Sequence, residues 1–191
     1  MGALDKLEHR YTINFVGAVL ARKRAPRREP KSGDAYAARR TETIEEMPKA
    51  FVSTVINAPL ERVWRVVSDF NGLPAWMPGM KDSVIEPGKK DTEIGAVRKL
   101  SMAGTKDVLR ERLEAFSPDE FLITYSVLEG PLPVKNIRTS LRLRPITDIY
   151  GTLGEWSTEF DTEKGKEEEG EQFMARVFSA GFRSLKRHLG V

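Results

Sequence analysis

Arg98 and Glu111 occupy positions that alternating strands would bury. In VRKLSM, Arg98 shares its parity with Leu100 and Met102, and in LRERLEA Glu111 shares its parity with Leu109, Leu113 and Ala115. A carboxylate on an apolar face must find a partner or a ligand, or give up its charge. Three chemistries follow: a structural ion pair with Arg98, a polar anchor for a bound molecule, or acid–base catalysis by a group poised near neutrality. Glu111 is the best catalytic candidate, with Arg98 to hold an enolate or carboxylate and Tyr125 as a proton donor. Other chemistries lack their residues. The histidines are His9 and His188, far apart in sequence, and there is no cysteine. A histidine triad, a zinc cluster and thiolate chemistry therefore have no donors, and no phosphate-cradling Walker loop is present. No metal and no cofactor are expected.

The elements that position these residues are read from periodicity and breakers. A β-branched run over residues 50–56 reads as a strand. Asn57, Ala58 and Pro59 then open a helix, residues 60–70, with Val63, Val66, Val67 and Phe70 as its apolar stripe. Asn71 and Gly72 are read as its stop, and LPAWMPGM, between prolines, has room for one short helical turn. Six period-two segments follow, over residues 82–88, 95–104, 107–116, 121–130, 134–146 and 151–161, at the short spacing of antiparallel neighbours. A final helix is expected over residues 168–189, its apolar positions Met174, Val177, Phe178, Gly181, Leu185 and Leu189 three or four apart.

This order predicts an α+β fold in which a curved seven-stranded antiparallel sheet wraps a long C-terminal helix. Parity turns Phe121, Ile123, Tyr125, Val127, Ile137, Thr139, Leu141, Leu143, Gly154, Trp156, Thr158 and Phe160 inward with the members named above. A mostly apolar face with a few polar members is the composition of a ligand cavity.

The chain divides by texture into a basic N-terminal arm with linker, residues 1–47, and a globular domain, residues 48–191. Through Arg40 there are ten Lys or Arg against four Asp or Glu, a balance of +6, and the remainder, 21 against 24, gives −3. The arm carries Leu4, Leu7, Tyr11 and Phe15 at roughly helical spacing, then ARKRAPRR. It is too short in apolar length to span a bilayer, and Asp5, Glu8 and the Arg22–Arg24 cluster fit a secretory signal poorly. Contact of residues 1–40 with an anionic membrane surface is one reading, and a solvated arm the other. A net charge of +3 gives no argument for nucleic acid, and a cysteine-free chain is compatible with a reducing, cytoplasmic setting.

Taken together, ERVWRVVSDFNGLPAWMPGM, GAVRKLSMAG, RERLEAF, TYSVLEGPLPVKN, GEWSTEF and FSAGFRSLKRHL, in that order and spacing, resemble the polyketide cyclase and dehydratase-like branch of the START superfamily, also called SRPBCC proteins. The resemblance covers residues 50–189. It implies the helix-grip fold of the birch pollen allergen, with a deep cavity between sheet and C-terminal helix. The branch is also similar to the plant abscisic acid receptors. Residues 103–106 then fall at the gate loop of those receptors and residues 128–133 at their latch, while Glu111, Tyr125, Ile137, Thr139 and Trp156 fall on cavity-lining positions. Met77 stands where the hormone-binding lysine would be, and the Gly-Leu-Pro gate and His-Arg-Leu latch are absent, which argues against a hormone receptor.

Binding or carriage of a hydrophobic small molecule, such as a polyketide, aromatic, isoprenoid or lipid, is the function this implies. Its walls would be Trp76, Met77, Leu100, Met102, Leu113 and Tyr125 with Ile137, Trp156, Met174, Val177, Phe178 and Gly181. Arg98, Glu111 and Thr139 would orient the ligand. The alternatives are a cyclase, aromatase or dehydratase using Glu111 as acid or base, and a membrane-associated lipid-transfer module. The sequence leaves the oligomeric state open.

Overall fold

A computed structural model describes residues 47–191. The expectations for the basic arm, Met47 apart, lie outside the described residues. Seven strands form one antiparallel sheet: β1 (Lys49–Ile56), β2 (Met80–Ile85), β3 (Val97–Met102), β4 (Val108–Ser117), β5 (Leu122–Glu129), β6 (Lys135–Ile146) and β7 (Gly151–Asp161), in the spatial order β1-β7-β6-β5-β4-β3-β2. Each of β2 to β7 pairs with its sequence neighbour, and β7 returns to pair with β1. The long helix α2 (Glu167–Leu189) packs on β1 and β7, which gives the helix-grip arrangement.

Helix α1 (Leu60–Val67) begins at Pro59, whose fixed φ suits a helix start and whose carbonyl accepts from the Arg62 and Val63 amides at 3.0 and 3.2 Å. It buries Leu60, Val63 and Val67 and stops before Phe70, two turns on from its start. Phe70 instead opens a 3₁₀ turn (Phe70–Ala75), so Asn71 and Gly72 lie inside a helical turn rather than ending one. The change of pitch brings Phe70 into the core, where it is 1% exposed. Ser83 Oγ of β2 donates to Asn71 Oδ1 at 2.7 Å and ties the turn to the sheet.

α2 carries Glu167, Glu168 and Glu169 in its first turn and Lys186, Arg187 and His188 in its last, each sign at the helix end that favours it. Gly190, at φ 73, closes it in the left-handed conformation. Its buried face is Gly170, Met174, Phe178, Gly181, Phe182, Leu185 and Leu189. Phe182 joins the expected stripe, whereas Val177 is only partly buried at its margin.

One parity assignment fails. The β4–β5 register shifts between Leu113 and Ala115, so Ala115 pairs with Thr124 and Phe116 with Ile123. A bulge inserts one residue and moves every later side chain to the opposite face. Phe116 therefore takes the inward place expected of Ala115, and its ring lies 5.7 Å from that of Trp64 on α1.

Candidate functional site

Arg98 and Glu111 are direct cross-strand partners between β3 and β4, and both are buried, at 4% and 5% exposure. Arg98 Nε donates to Glu111 Oε2 at 2.7 Å, and Nη2 lies 2.5 Å from the same oxygen. Nη1 donates to the Phe70 carbonyl, so each guanidinium nitrogen has an acceptor. The guanidinium carbon lies 4.0 Å from the Phe70 ring centroid and 5.4 Å from that of Tyr125. Arg98 thus joins three segments: β4 through Glu111, the 3₁₀ turn through Phe70, and β5 through Tyr125.

Next to this pair the Tyr125 oxygen accepts from Trp156 Nε1 at 3.2 Å. Burial, and then the negative charge of Glu111, pushes the Tyr125 phenol far above its ordinary value, so it keeps its proton at neutral pH. Trp156 is the hub of the aromatic packing. It stacks on Phe178 of α2 at 4.7 Å and 8°, meets Phe182 edge-on at 5.4 Å, and lies 6.0 Å from Trp76. The indole fits under α2 because residue 181 is glycine: a Cβ there would stand 2.7 Å from Trp156 Cζ3 and 3.0 Å from Met77 Sδ.

These groups surround a cavity of about 20 Å³, room for about one water molecule. Drug-sized ligands occupy pockets of roughly 300 Å³ or more. The deep hollow expected beneath the helix is therefore filled in this arrangement. Its volume is taken by the Trp76, Trp156 and Phe178 rings, whose stacking depends on how the helix docks.

Of the residues expected at the site, Trp76, Arg98, Tyr125 and Trp156 line the cavity, and Glu111 sits behind Arg98 as its counterion. Leu100, Leu113, Ile137 and Thr139 are buried in the core and do not line the cavity, although Leu113 and Thr139 flank Tyr125 as its cross-strand partners. Thr139 Oγ1 donates to Thr158 Oγ1 at 3.1 Å, a bond between β6 and β7. Met174, Phe178 and Gly181 belong to the buried face of α2, while Met77, Met102 and Val177 are half-buried. The cavity is completed by Val67, Asp69, Phe70, Leu73, Ile123 and Leu141. Val67 and Phe70 were legible as stripe members, and Ile123 and Leu141 by strand parity. Asp69 and Leu73 arrive through the 3₁₀ turn, which left no periodic signal.

Trp76 is 5% exposed, and its Nε1 is the one buried side-chain polar atom without a hydrogen-bond partner among the described residues. Residues 103–106 turn β3 into β4, with the Ala103 amide donating to the Gly79 carbonyl at 2.8 Å, and of residues 128–133 the first two end β5 and 128–131 are exposed.

Comparison with known proteins agrees with this architecture. The family described as "Polyketide cyclase / dehydrase and lipid transport" matches residues 47–190. Among solved structures, the protein XoxI from Bacillus cereus is 30% identical with a TM-score of 0.66, covering 74% of this chain and 94% of its own. A protein from Nitrosospira multiformis is 28% identical with a TM-score of 0.65 over 73% of this chain and 94% of that one. A solution structure from Thermobifida fusca is 28% identical with a TM-score of 0.66, covering 74% and 93%.

Proposed function

The chain belongs to the polyketide cyclase / dehydrase and lipid transport family, and on that premise we propose that it binds and carries a hydrophobic small molecule between the concave sheet face and α2. The observation that carries this reading is the composition of the lining, which sets Arg98 and Tyr125 among apolar and aromatic side chains. A few polar groups in an oily lining orient a ligand, and the lining supplies most of the affinity. Because the cavity holds about one water, a larger ligand requires the wall around it to open. Native mass spectrometry of the gently purified protein tests this, together with saturable quenching of tryptophan emission by a panel of aromatic, isoprenoid and acyl compounds. A co-purified compound or saturable quenching is expected. Neither a retained compound nor saturable quenching anywhere in the panel would remove the carrier reading.

A cyclase-type reaction is the second reading, favoured by Tyr125, a buried phenol that stays protonated and adjoins the cavity. Glu111 suits acid–base work less well, since Arg98 already occupies its Oε2. Tyr125→Phe with turnover unchanged on a poly-β-ketone analogue would exclude the phenol. For residues 1–40, the +6 balance supports contact with anionic membranes. Pelleting with anionic liposomes that survives deletion of residues 1–46 would refute that contact.

A further inference from the structure

We propose that the free edge of β1 is a self-pairing surface, on which two copies of this chain join their sheets antiparallel about Ser53. The inference is independent of the ligand site.

β1 ends the sheet, with β7 on one side and no strand on the other. The Phe160 amide of β7 donates to the Pro48 carbonyl at 3.2 Å, which fixes the phase of the ladder. Alternation then turns the backbone groups of Ala50, Val52, Thr54 and Ile56 toward β7, and those of Lys49, Phe51, Ser53 and Val55 toward the open side. The Lys49 amide follows this phase and donates to Glu171 Oε1 of α2 at 3.2 Å. The amides and carbonyls of Phe51, Ser53 and Val55 have no hydrogen-bond partner among the described residues. Strand edges are normally blunted by charge, proline, bulges or a covering element. β2, at the other border, has such devices: a bulge between Met80 and Asp82, the charges of Lys81 and Asp82, and the Ser83–Asn71 bond to the 3₁₀ turn. From Ala50 to Ile56, β1 contains neither charge nor proline.

This edge is self-complementary. Phe51 and Val55, 59% and 44% exposed, flank the exposed Ser53 on the sheet face turned away from α2. With a two-fold axis at Ser53, Phe51 of each copy lies opposite Val55 of the other, an aromatic and β-branched pairing that sheets favour. The three open residues of each copy then donate one main-chain bond and accept one. A two-residue slip would set Phe51 against Ser53 or Asn57 and lose the match. The uncharged segment brings no repulsion across the axis, and the isologous contact uses up the edge in both copies, so assembly closes at a dimer. A single strand pair is a small interface, under the roughly 1,200 Å² of stable complexes, so a reversible dimer with a dissociation constant of about 10–100 μM is expected.

Sedimentation equilibrium of the full chain, over a concentration series spanning that range, should show a monomer–dimer transition. Ser53→Pro removes an amide that no described residue uses and that an edge strand can do without, so it should weaken the dimer at least 10-fold. Phe51→Lys, at an exposed position, should do the same without relying on a proline. Val84→Lys, on the exposed side of β2, should leave the dimer unchanged. The register has its own readout, because the natural chain has no cysteine. In Ser53→Cys the two Cα atoms would stand about 5.5 Å apart, within disulfide reach, and air oxidation with a copper catalyst should give a covalent dimer. Phe51→Cys alone, its two copies about 14 Å apart along the strands, should not cross-link, whereas an equimolar mixture of Phe51→Cys and Val55→Cys should. A chain that stays monomeric throughout the series would overturn the proposal. So would a dimer that survives both Ser53→Pro and Phe51→Lys, or cross-linking of Phe51→Cys as efficient as that of Ser53→Cys.

Discussion

Replacing Glu111 by leucine isolates the largest electrostatic commitment in the core. The side chains of Arg98 and Glu111 are 5% and 6% exposed, so the pair is shielded from solvent and salt. Leucine leaves the guanidinium its Phe70 carbonyl and the two aromatic rings, and removes the acceptor of both Nε and Nη2. Arginine cannot shed its proton to escape. Breaking a buried pair from one side costs about 3–5 kcal/mol. With a urea dependence of about 2 kcal/mol per molar, the unfolding midpoint should fall by about 2 M. The double variant Arg98→Met/Glu111→Leu removes both charges and fills the space with apolar atoms, so its stability should return to within about 1 kcal/mol of wild type. Urea titrations followed by far-ultraviolet circular dichroism measure all three proteins. A single variant that loses less than about 1 kcal/mol, or a double variant no more stable than the single, would refute the view of a mutually dependent pair.

Three further outcomes can be checked. Gly181→Ala gains helix propensity of about 1 kcal/mol, but its Cβ meets the rigid Trp156 indole, and overpacking costs about 1–3 kcal/mol; a net loss of stability with an altered near-ultraviolet tryptophan spectrum is expected, and a stability gain would contradict the contact. Phe178→Ala removes the ring stacked on Trp156 and should cost about 3–5 kcal/mol, with a loss under about 2 kcal/mol in urea unfolding indicating that α2 collapses into the gap. Glu86 is held below the ordinary carboxylate value of 4.5, chiefly by its hydrogen bond to Arg110. The stability it contributes is complete above that value and is lost as pH falls through the lower folded value, so Glu86→Gln should show a shallower acid loss than wild type, and identical acid profiles would dismiss the link.

Strand parity made much of this architecture readable. Arg98 and Glu111 could be set on one side of adjacent strands because a period of two admits no other choice once Leu100 and Leu113 are inward. The same rule failed at Ala115, since the bulge that moves Phe116 inward carries no periodic mark. Helix α1 was legible from its stripe, but its early end at Val67 was not: the 3₁₀ pitch is chosen by where Phe70 has to reach. The filled interior was the least accessible feature. Trp156, Phe178 and Trp76 were each named as cavity wall, yet whether such rings line a space or occupy it is decided by the approach of α2 to the sheet. That approach depends on Gly181, whose missing side chain looked like one more apolar position in a helical stripe.

The edge of the Phe182 ring sits over Gly154 of β7, where a Cβ would stand 2.8 Å from Cε1. One parcel of space is therefore shared by a residue of the sheet and a residue 28 positions later in the helix. Neither site is free to enlarge by itself: a methyl at 154 evicts the ring, and a trimmed 182 leaves a hole that only a larger 154 fills. Redesign of this wall has to trade bulk across the two positions as a unit, and the trade would tilt the helix toward or away from the aromatic cluster with no change to any polar residue.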